Sequence, residues 1–330
     1  MNLPESPSLA ILIPCLNEEP AVAGVIREYR SAFPNARILV VDNGSSDGTG
    51  AAATAAGAEV IVEPTRGKAR AVLAAWTYLD EDLILMVDGD GSYPAAGGTA
   101  LLKVYAQTPA DLVSGVRTPT VDETGGAATP FRPMHQFGTR LFERFLSIAF
   151  GYRTGDLFSG LRLFTRRFYK NVPILSRGFE LEIELTIQAI DKSFSLRETA
   201  VPFRDRAAGT ASKLDTIRDG WRILRALFVL LRDYKPLFFF LRIAVVFFAL
   251  GLLTGWLPVY EYFQTSLVGR FPLAILAASL VSLSIVTFLA GLMMEGNLRH
   301  HRESYQIRLR NFDAPVGGAA RRGEPRPPVV

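Results

Sequence analysis

Two long apolar runs near the C-terminal end constrain this chain more than any other feature. Residues 237–256 are twenty residues, apolar except for Arg242, and residues 272–294 are twenty-three without a charge. A helix rises about 1.5 Å per residue and a bilayer core is about 30 Å thick, so each run is long enough to cross it. Arg242 lies near the start of its run, where a long side chain snorkels to the interface. The alternative is a pair of buried core helices, but runs of this length are rare in soluble cores.

The flanks orient the pair. Arg218, Arg222, Arg225, Arg232 and Lys235 precede the first run, and Arg299, Arg302, Arg308 and Arg310 follow the second. The stretch between the runs, 257–271, holds one Arg (Arg270) and one Glu (Glu261). The positive-inside rule therefore places both termini in the cytosol, on a cytoplasmic (inner) membrane. No secretory signal is expected: the N-terminus has no basic region, and its first apolar run, 9–13, is too short.

Four regions follow: a cytosolic domain over 1–214, an amphipathic segment over 215–235, two spans within 236–298, and a basic tail over 299–330. In the amphipathic segment Ile217, Trp221, Leu224, Leu227, Phe228 and Leu231 recur at near-helical spacing, with arginines between them. An interfacial helix has this pattern, as does a helix packed on its own domain. The tail carries seven Arg against Glu303, Asp313 and Glu324, and its Gly and Pro content after Asn311 reads as disordered. That local excess equals the whole chain's net charge of +4 (36 basic against 32 acidic residues). The surplus is too weak to argue for nucleic acid, and no nucleic-acid partner is expected. A single cysteine, Cys15, rules out an internal disulfide and a cysteine zinc site.

The first 230 or so residues alternate strand and helix. Apolar strands are expected at 9–17, 37–49 (ending in a loop), 58–63, 82–91 and 111–117, with helices at 18–33 and 67–79 and a small-residue helix after 49. Starts 21 to 29 residues apart suit successive βα units and a mainly parallel sheet. Such sheets bind ligands beyond the carboxyl ends of their strands.

The polar clusters fall at those ends. Asn17 and Glu18 follow the first strand, Asp42, Asn43, Ser45 and Asp47 the second, and Asp88 and Asp90 the fourth. Carboxylates there suit ribose hydroxyls and a hard divalent cation. Asp90 is expected as an exposed strand-end carboxylate that adds little to packing. Each cluster alone also reads as an ordinary turn; the ordered set is the stronger signal. Other nucleotide motifs do not fit. Gly89 and Gly91 lack the third glycine of GxGxxG, and Ala69 replaces the Ser or Thr of a P-loop after Gly67-Lys68.

The runs IPCLNEE, VVDNGSSDGT and VDGDGSYP resemble the family 2 glycosyltransferases with a GT-A fold. Within that family the chain is most similar to polyprenyl-phosphate glycosyltransferases, the dolichol-phosphate mannose and glucose synthases and their bacterial two-span relatives. The resemblance continues through GDLFSGLRLFTRR at 155–167, RGFELEIELTIQA at 177–189 and VPFRDRAAGTASKLDTIRDG at 201–220.

The resemblance implies an α/β, GT-A-like, mainly parallel sheet domain followed by a two-helix transmembrane hairpin. Pro14, Asn17 and Glu18 would border the nucleotide of a nucleotide-sugar donor, with Asp42 reading the base. Asp88 would contact the nucleotide, and Asp90 would hold Mg2+ or Mn2+ on the diphosphate. Asp156 matches the position usually assigned to a catalytic base. Arg206, Ser212 and Lys213 would lie near the phosphates. Arg117 and Arg132 are candidates for the phosphate of a polyprenyl phosphate acceptor, undecaprenyl or dolichyl. Lys68 is expected near the nucleotide, although Arg70 stands where relatives often have glycine. Of Glu180, Glu182 and Glu184, near an expected helix start, at least one is a site candidate; the other reading is a match to the helix dipole.

A lipid phosphate, with a second pKa of about 6, is already largely dianionic at pH 7 and hardly needs a base. Asp156 is therefore expected to orient groups more than to remove a proton. Two rivals stay open. A processive polysaccharide synthase would carry more spans and a Q-x-x-R-W motif, and a non-catalytic nucleotide-sugar-binding anchor would not need Asp88, Asp90 and Asp156 together. The donor base and sugar are not set by the sequence, which is also compatible with a homo-oligomer.

Overall fold

The apolar run that begins at Leu9 becomes an inner strand of a sheet. The computed structural model describes residues 7–119, 147, 151–152, 154–176, 181–204, 228–229 and 231–313. The chain divides into two units, Met1–Thr216 with Phe312–Val330, and Ile217–Asn311.

In the first unit β1 (Leu9–Cys15), β2 (Arg37–Asp42), β3 (Glu59–Val62) and β4 (Leu83–Met86) pair in parallel. β1, β2 and β4 are buried on both faces over most of their length, which explains their unbroken Ile, Leu and Val runs. α1 (Glu19–Ala32), α2 (Thr49–Ala55) and α3 (Lys68–Tyr78) connect them. α1 buries Val22, Val25, Ile26 and Tyr29, a stripe at i, i+3, i+4 and i+7.

α4 (Ala95–Gln107) then leads to β5 (Leu112–Pro119). It packs closely because Gly97 and Gly98 face the sheet. A Cβ there would stand 2.8 Å from Leu161 Cδ2 and 2.7 Å from Leu85 Cδ2, respectively.

The remaining strands are β6 (Arg162–Thr165) and β7 (Leu196–Phe203), with the short α5 (Arg166–Tyr169) and α6 (Leu181–Asp191) between them. The sheet order is β3-β2-β1-β4-β6-β5-β7. Among the described residues six strands point one way. β6 is reversed, antiparallel to both β4 and β5. The sheet is thus mainly parallel, as expected, with one reversed strand that the sequence did not announce.

That reversal positions the site. Register pairs Met86 at the carboxyl end of β4 with Arg162 at the amino end of β6. The loop entering β6 therefore lies beside the loop leaving β4.

The second unit holds α7 (Pro236–Thr265) and all but the last two residues of α8 (Phe271–Asp313). They pack through small residues: a Cβ on Gly251 would lie 2.8 Å from Val281 Cγ2, and one on Gly291 would lie 2.7 Å from Phe240 Cβ. Small residues let apolar helices approach this closely. Only 11% of the most apolar window of each is buried, whereas a core helix would bury most of it. Both are long and apolar enough to cross a membrane. α8 does not stop with the apolar run at Met294. It continues to Asp313, through a stretch rich in Arg, Glu and Leu with no proline before Pro315. Of the amphipathic segment 215–235 only 228–229 and 231–235 are among the described residues, and the tail 314–330 lies outside them.

Candidate active site

The carboxyl ends of β1 and β2 are tied by side chains placed for that purpose. Pro14 sits opposite Val41, and Cys15 opposite Asp42, the last residue of β2. Asn17 takes φ 58°, a left-handed conformation that asparagine tolerates better than most residues. Its N–H donates to Ser45 Oγ (3.0 Å), and its Oδ1 accepts from the Ser46 N–H (2.8 Å). The Glu18 N–H donates to Thr49 Oγ1 (2.9 Å), and Asp42 Oδ1 accepts from the Ser45 N–H (2.9 Å). Asn43, buried at 3% exposure, braces a third loop. Its Nδ2 donates to the carbonyls of Glu63 and Thr65, and its Oδ1 accepts from the Gly67 N–H at 2.6 Å.

That brace sets the start of α3 and so Lys68, its first residue. The Lys68 ammonium reaches Asp88 Oδ1 at 2.5 Å and Glu182 Oε1 at 2.6 Å. Burial works against this ammonium, but the two carboxylates outweigh it and hold Lys68 protonated well above the ordinary lysine range. Asp88 is confined on its other side by Gly160, where a Cβ would fall into contact with its carboxylate.

Asp90 follows across Gly89, whose Cβ would stand 2.5 Å from Cys15 Sγ. Glycine lets the Asp88–Asp90 loop pass directly over β1. Asp90 is not the exposed carboxylate expected from the sequence: it is 5% exposed. The loop folds back so that Ser92 donates to Asp90 Oδ1 from both its N–H (3.0 Å) and its Oγ (2.6 Å).

The loop before β6 brings Asp156 to this edge, where it meets Arg117 of β5. Arg117 donates from Nε to Asp156 Oδ2 (2.6 Å) and from Nη2 to Oδ1 (2.9 Å). The Phe158 N–H also reaches Oδ1, at 3.2 Å. Burial pulls the Arg117 guanidinium down, but its bonds to Asp156 more than restore it, and its titration moves up. Glu198 of β7 anchors the same loop, accepting from Thr154 Oγ1 and the Gly155 N–H.

Arg162 is the deepest support. Fully buried, it donates to the carbonyls of Ser159 and Leu157 (3.0 Å each) and to Thr186 Oγ1 (2.9 Å). Its burial lowers its titration, partly offset by Glu182 and Asp156. Tyr93 closes the loop, its hydroxyl accepting from the Gly160 N–H at 2.9 Å. Burial, then Asp88, pushes that phenol up to about 12.

One edge of the sheet thus gathers Pro14, Asn17, Glu18, Asp42, Lys68, Asp88, Asp90, Arg117 and Asp156. Arg132, Arg206, Ser212 and Lys213 lie outside the described residues, as does Glu180. Glu182 joins the site through Lys68. Glu184 instead accepts from the N–H groups of Leu175 and Ser176 (2.8 Å each) and braces the preceding segment. Arg162 was not singled out from the sequence, and Asn43 was named there only as one of the polar cluster after β2. A lone arginine within the apolar SGLRLF run was the available signal for the first.

Known proteins are similar to this chain in sequence and in fold. The family model for glycosyl transferase family 2 matches residues 10–172. Glycosyltransferase AglJ of Haloferax volcanii is 30% identical over 303 residues, covering 91% of this chain and 97% of that one. A dolichyl-phosphate hexose transferase of the same organism is 30% identical over 213 residues, 64% of this chain and 89% of its own. Among solved structures, mannosyl-3-phosphoglycerate synthase from Rubrobacter xylanophilus superposes with a TM-score of 0.56 at 22% identity, covering 68% of this chain and 74% of that one. Glucosyl-3-phosphoglycerate synthase from Mycobacterium tuberculosis, in complex with Mn2+ and UDP-glucose, does so with a TM-score of 0.54 at 21% identity, covering 68% and 78%. The two structures share the GT-A-like fold, and the sequence relatives show the family: this chain belongs to the family 2 glycosyltransferases and is a glycosyltransferase.

Proposed function

We propose that the chain is a membrane-bound inverting glycosyltransferase that moves a sugar from a UDP- or GDP-linked nucleotide-sugar to a polyprenyl phosphate. The product would be a polyprenyl-phospho-sugar, a donor for glycan assembly. One observation carries this reading: a family 2 catalytic sheet and two exposed apolar helices, each long enough to span a bilayer, occur in one chain. The similarity to AglJ leaves out only about a tenth of this chain, so it takes in most of the helical region as well. The relative named for transfer to dolichyl phosphate supports the acceptor class. Both termini would face the cytosol, since the described basic residues Arg232, Lys235, Arg299, Arg302, Arg308 and Arg310 flank the helices on that side.

In this reading Pro14, Asn17, Glu18 and Asp42 line the nucleotide, and the Asn17–Ser45–Ser46 bonds hold that wall in shape before the donor arrives. The carboxylates suit a hard cation. Among the described residues no three His, Cys, Asp or Glu side chains converge as a ready-made cage. The protein therefore offers Asp90, with Asp88 beside it, and leaves the other positions to phosphate oxygens and water, the way Mg2+ is usually held. Mg2+ or Mn2+ bound there would neutralise the charge that grows on the leaving diphosphate; the neighbouring synthase crystallised with Mn2+ and UDP-glucose supports this choice.

The acceptor phosphate oxygen attacks the anomeric carbon as the bond to the diphosphate breaks, and a single displacement inverts that centre. The attacking phosphate carries its own negative charge. Asp156, with both oxygens engaged by Arg117, is placed to orient rather than to take a proton. The Arg117–Asp156 pair has no net charge, so Arg117 alone offers little positive field to an incoming phosphate; Arg132, the other acceptor-phosphate candidate, lies outside the described residues.

The test is a donor screen with purified full-length protein and undecaprenyl or dolichyl phosphate in lipid, with the product identified by mass spectrometry. A polyprenyl-phospho-sugar is the expected product. Transfer to 3-phosphoglycerate or another soluble acceptor, with none to the lipid, would overturn the acceptor assignment.

A further inference from the structure

Lys68 holds two carboxylates at once, and the two are not equivalent. Asp88, on the loop after β4, is partly open, with 28% of its side chain exposed. Glu182, on the first turn of α6, is closed in, at 6%. The ammonium lies 2.5 Å from the open carboxylate and 2.6 Å from the closed one. Its backbone is held in place, because α3 begins at Lys68 and the Gly67 N–H is bound by Asn43, so the ammonium moves only by its own side chain. Gly160 approaches the Asp88 carboxylate closely.

An ammonium in hydrogen-bond contact with Asp88 stands where a divalent cation would have to approach that oxygen. Like charges this close repel strongly in a partly buried site. Only the second carboxylate lets the lysine give way. An ammonium leaving Asp88 without another partner would be a buried, uncompensated charge, which is costly. With Glu182 already in contact, it can leave Asp88 and remain paired.

We propose that Lys68 is an exchangeable internal counter-ion. It guards Asp88 in the donor-free protein and yields it to the divalent cation only when the nucleotide diphosphate arrives, with Glu182 as the positioning residue that retains it. The inference rests on the proposed donor and metal chemistry, and adds an order of events: the cation loads with the nucleotide, not ahead of it. The advantage is chemical. A cation seated early would draw inorganic phosphate and other anions into the pocket, whereas a lysine already neutralised by two carboxylates attracts few.

The test uses full-length protein and Mn2+, followed by electron paramagnetic resonance of the unbound ion, with and without UDP or GDP. For the wild type, Mn2+ binding alone should be weak, and the preferred nucleotide should tighten it about tenfold or more. Lys68→Met removes the guard, so Mn2+ should bind the nucleotide-free protein several-fold more tightly while transferase activity falls. Loss of a nearby positive charge alone would raise Mn2+ affinity alike with and without nucleotide, whereas loss of a guard raises it chiefly without nucleotide. Glu182→Gln, which keeps the shape and removes the retaining charge, should leave Lys68 on Asp88 and weaken Mn2+ binding in the presence of nucleotide. Lys68→Arg, which keeps the charge, should restore weak binding of Mn2+ alone.

Unchanged or weaker Mn2+ binding by Lys68→Met without nucleotide, in protein that melts cooperatively, would overturn the proposal and leave the transferase reading intact. If Lys68→Met does not fold, the Glu182→Gln arm decides: unchanged Mn2+ affinity with nucleotide overturns the proposal. No Mn2+ binding by the wild type even with nucleotide would instead remove the metal assignment itself.

Discussion

Arg117 and Asp156 meet as a fork, Nε to Oδ2 at 2.6 Å and Nη2 to Oδ1 at 2.9 Å, with the Asp156 residue only 5% exposed. Their partnership depends on topology. Arg117 sits on β5, and Asp156 comes in with the loop that feeds the reversed strand β6, 39 residues later. The Arg117 guanidinium also lies over the Phe203 ring, 5.3 Å from its centre, and that ring stands edge-on to Tyr93. The pair is thus built into the wall of the site.

The first prediction follows from that fork. Asp156→Asn and Arg117→Met should each lower turnover by about a hundredfold or more, as loss of a fixed electrostatic group does. The double variant should lose little beyond either one, because the residues act as a unit. Each single change also leaves a buried charge uncompensated and should cost about 3–5 kcal/mol of stability, read by chemical denaturation. The pH–rate profile separates the roles. If Asp156 orients, the residual activity of Asp156→Asn keeps the acidic limb of the wild type; if it is a base, the limb disappears. Additive losses in the double variant would break the unit apart.

The second prediction concerns Asp90. Its buried carboxylate receives both the N–H and the hydroxyl of Ser92, so Asp90→Ala would also undo the turn. Asp90→Asn keeps an acceptor oxygen for Ser92 and removes the charge a cation needs. It should retain the wild-type melting temperature within a few degrees and lose nearly all transfer activity. EDTA should silence the wild type, with Mg2+ or Mn2+ restoring it. Full activity in chelator would remove the metal from the mechanism.

The third prediction tests why glycine stands between Asp88 and Asp90. A Cβ at Gly89 would lie 2.5 Å from Cys15 Sγ and 3.5 Å from Ile13 Cγ2. Gly89→Ala should cost about 1–3 kcal/mol, the usual range for overpacking, and depress activity by lifting both carboxylates. Cys15→Ala removes the clashing sulfur, so the double variant should recover most of both losses. The Cys15 thiol itself, pushed up by burial and by Glu18 and its acidic neighbours, should resist alkylation until the protein is unfolded. No recovery in the double variant would place the constraint on the backbone instead.

The same edge of the sheet separates what the chain announces from what only the fold reveals. Strands β1 to β5 begin within a residue of where the apolar runs and their flanking turn formers put them. Asp42, Asp88 and Asp90 were legible because each ends or closely follows such a run. α4 was not, because Ala95-Ala-Gly-Gly reads as a breaker. It is helical because Gly97 and Gly98 let it settle onto Leu161 and Leu85. β6 is four residues long and opens with an arginine, so no alternation could mark it. Its reversal carries Asp156 to Arg117, and no local pattern encodes strand direction. The Lys68–Glu182 contact joins residues 114 positions apart. The motif at 177–189 singled out that group of glutamates, but only the packing of α6 selects Glu182 for the site and Glu184 for the brace.

The last prediction concerns the apolar helices. A chain ending near Lys235 should still bind nucleotide-sugar, because Asn17, Asp42, Asp88 and Asp90 sit on the sheet or its loops and Lys68 opens α3. It should transfer poorly to long-chain polyprenyl phosphate in vesicles. A long isoprenoid stays in the bilayer and offers its phosphate only at the interface, and tethering raises the effective concentration of enzyme there. A short, water-soluble prenyl phosphate removes that requirement and should restore much of the truncated enzyme's activity. Gly251→Val and Gly291→Val in the full chain provide a milder version. Each forces apart helices that approach within van der Waals contact at those points, and should lower stability in detergent while leaving nucleotide affinity intact. Equal activity of truncated and full-length enzyme on the long lipid would assign the helices to assembly rather than to acceptor capture. Loss of nucleotide binding on truncation would show that they support the fold of the catalytic sheet.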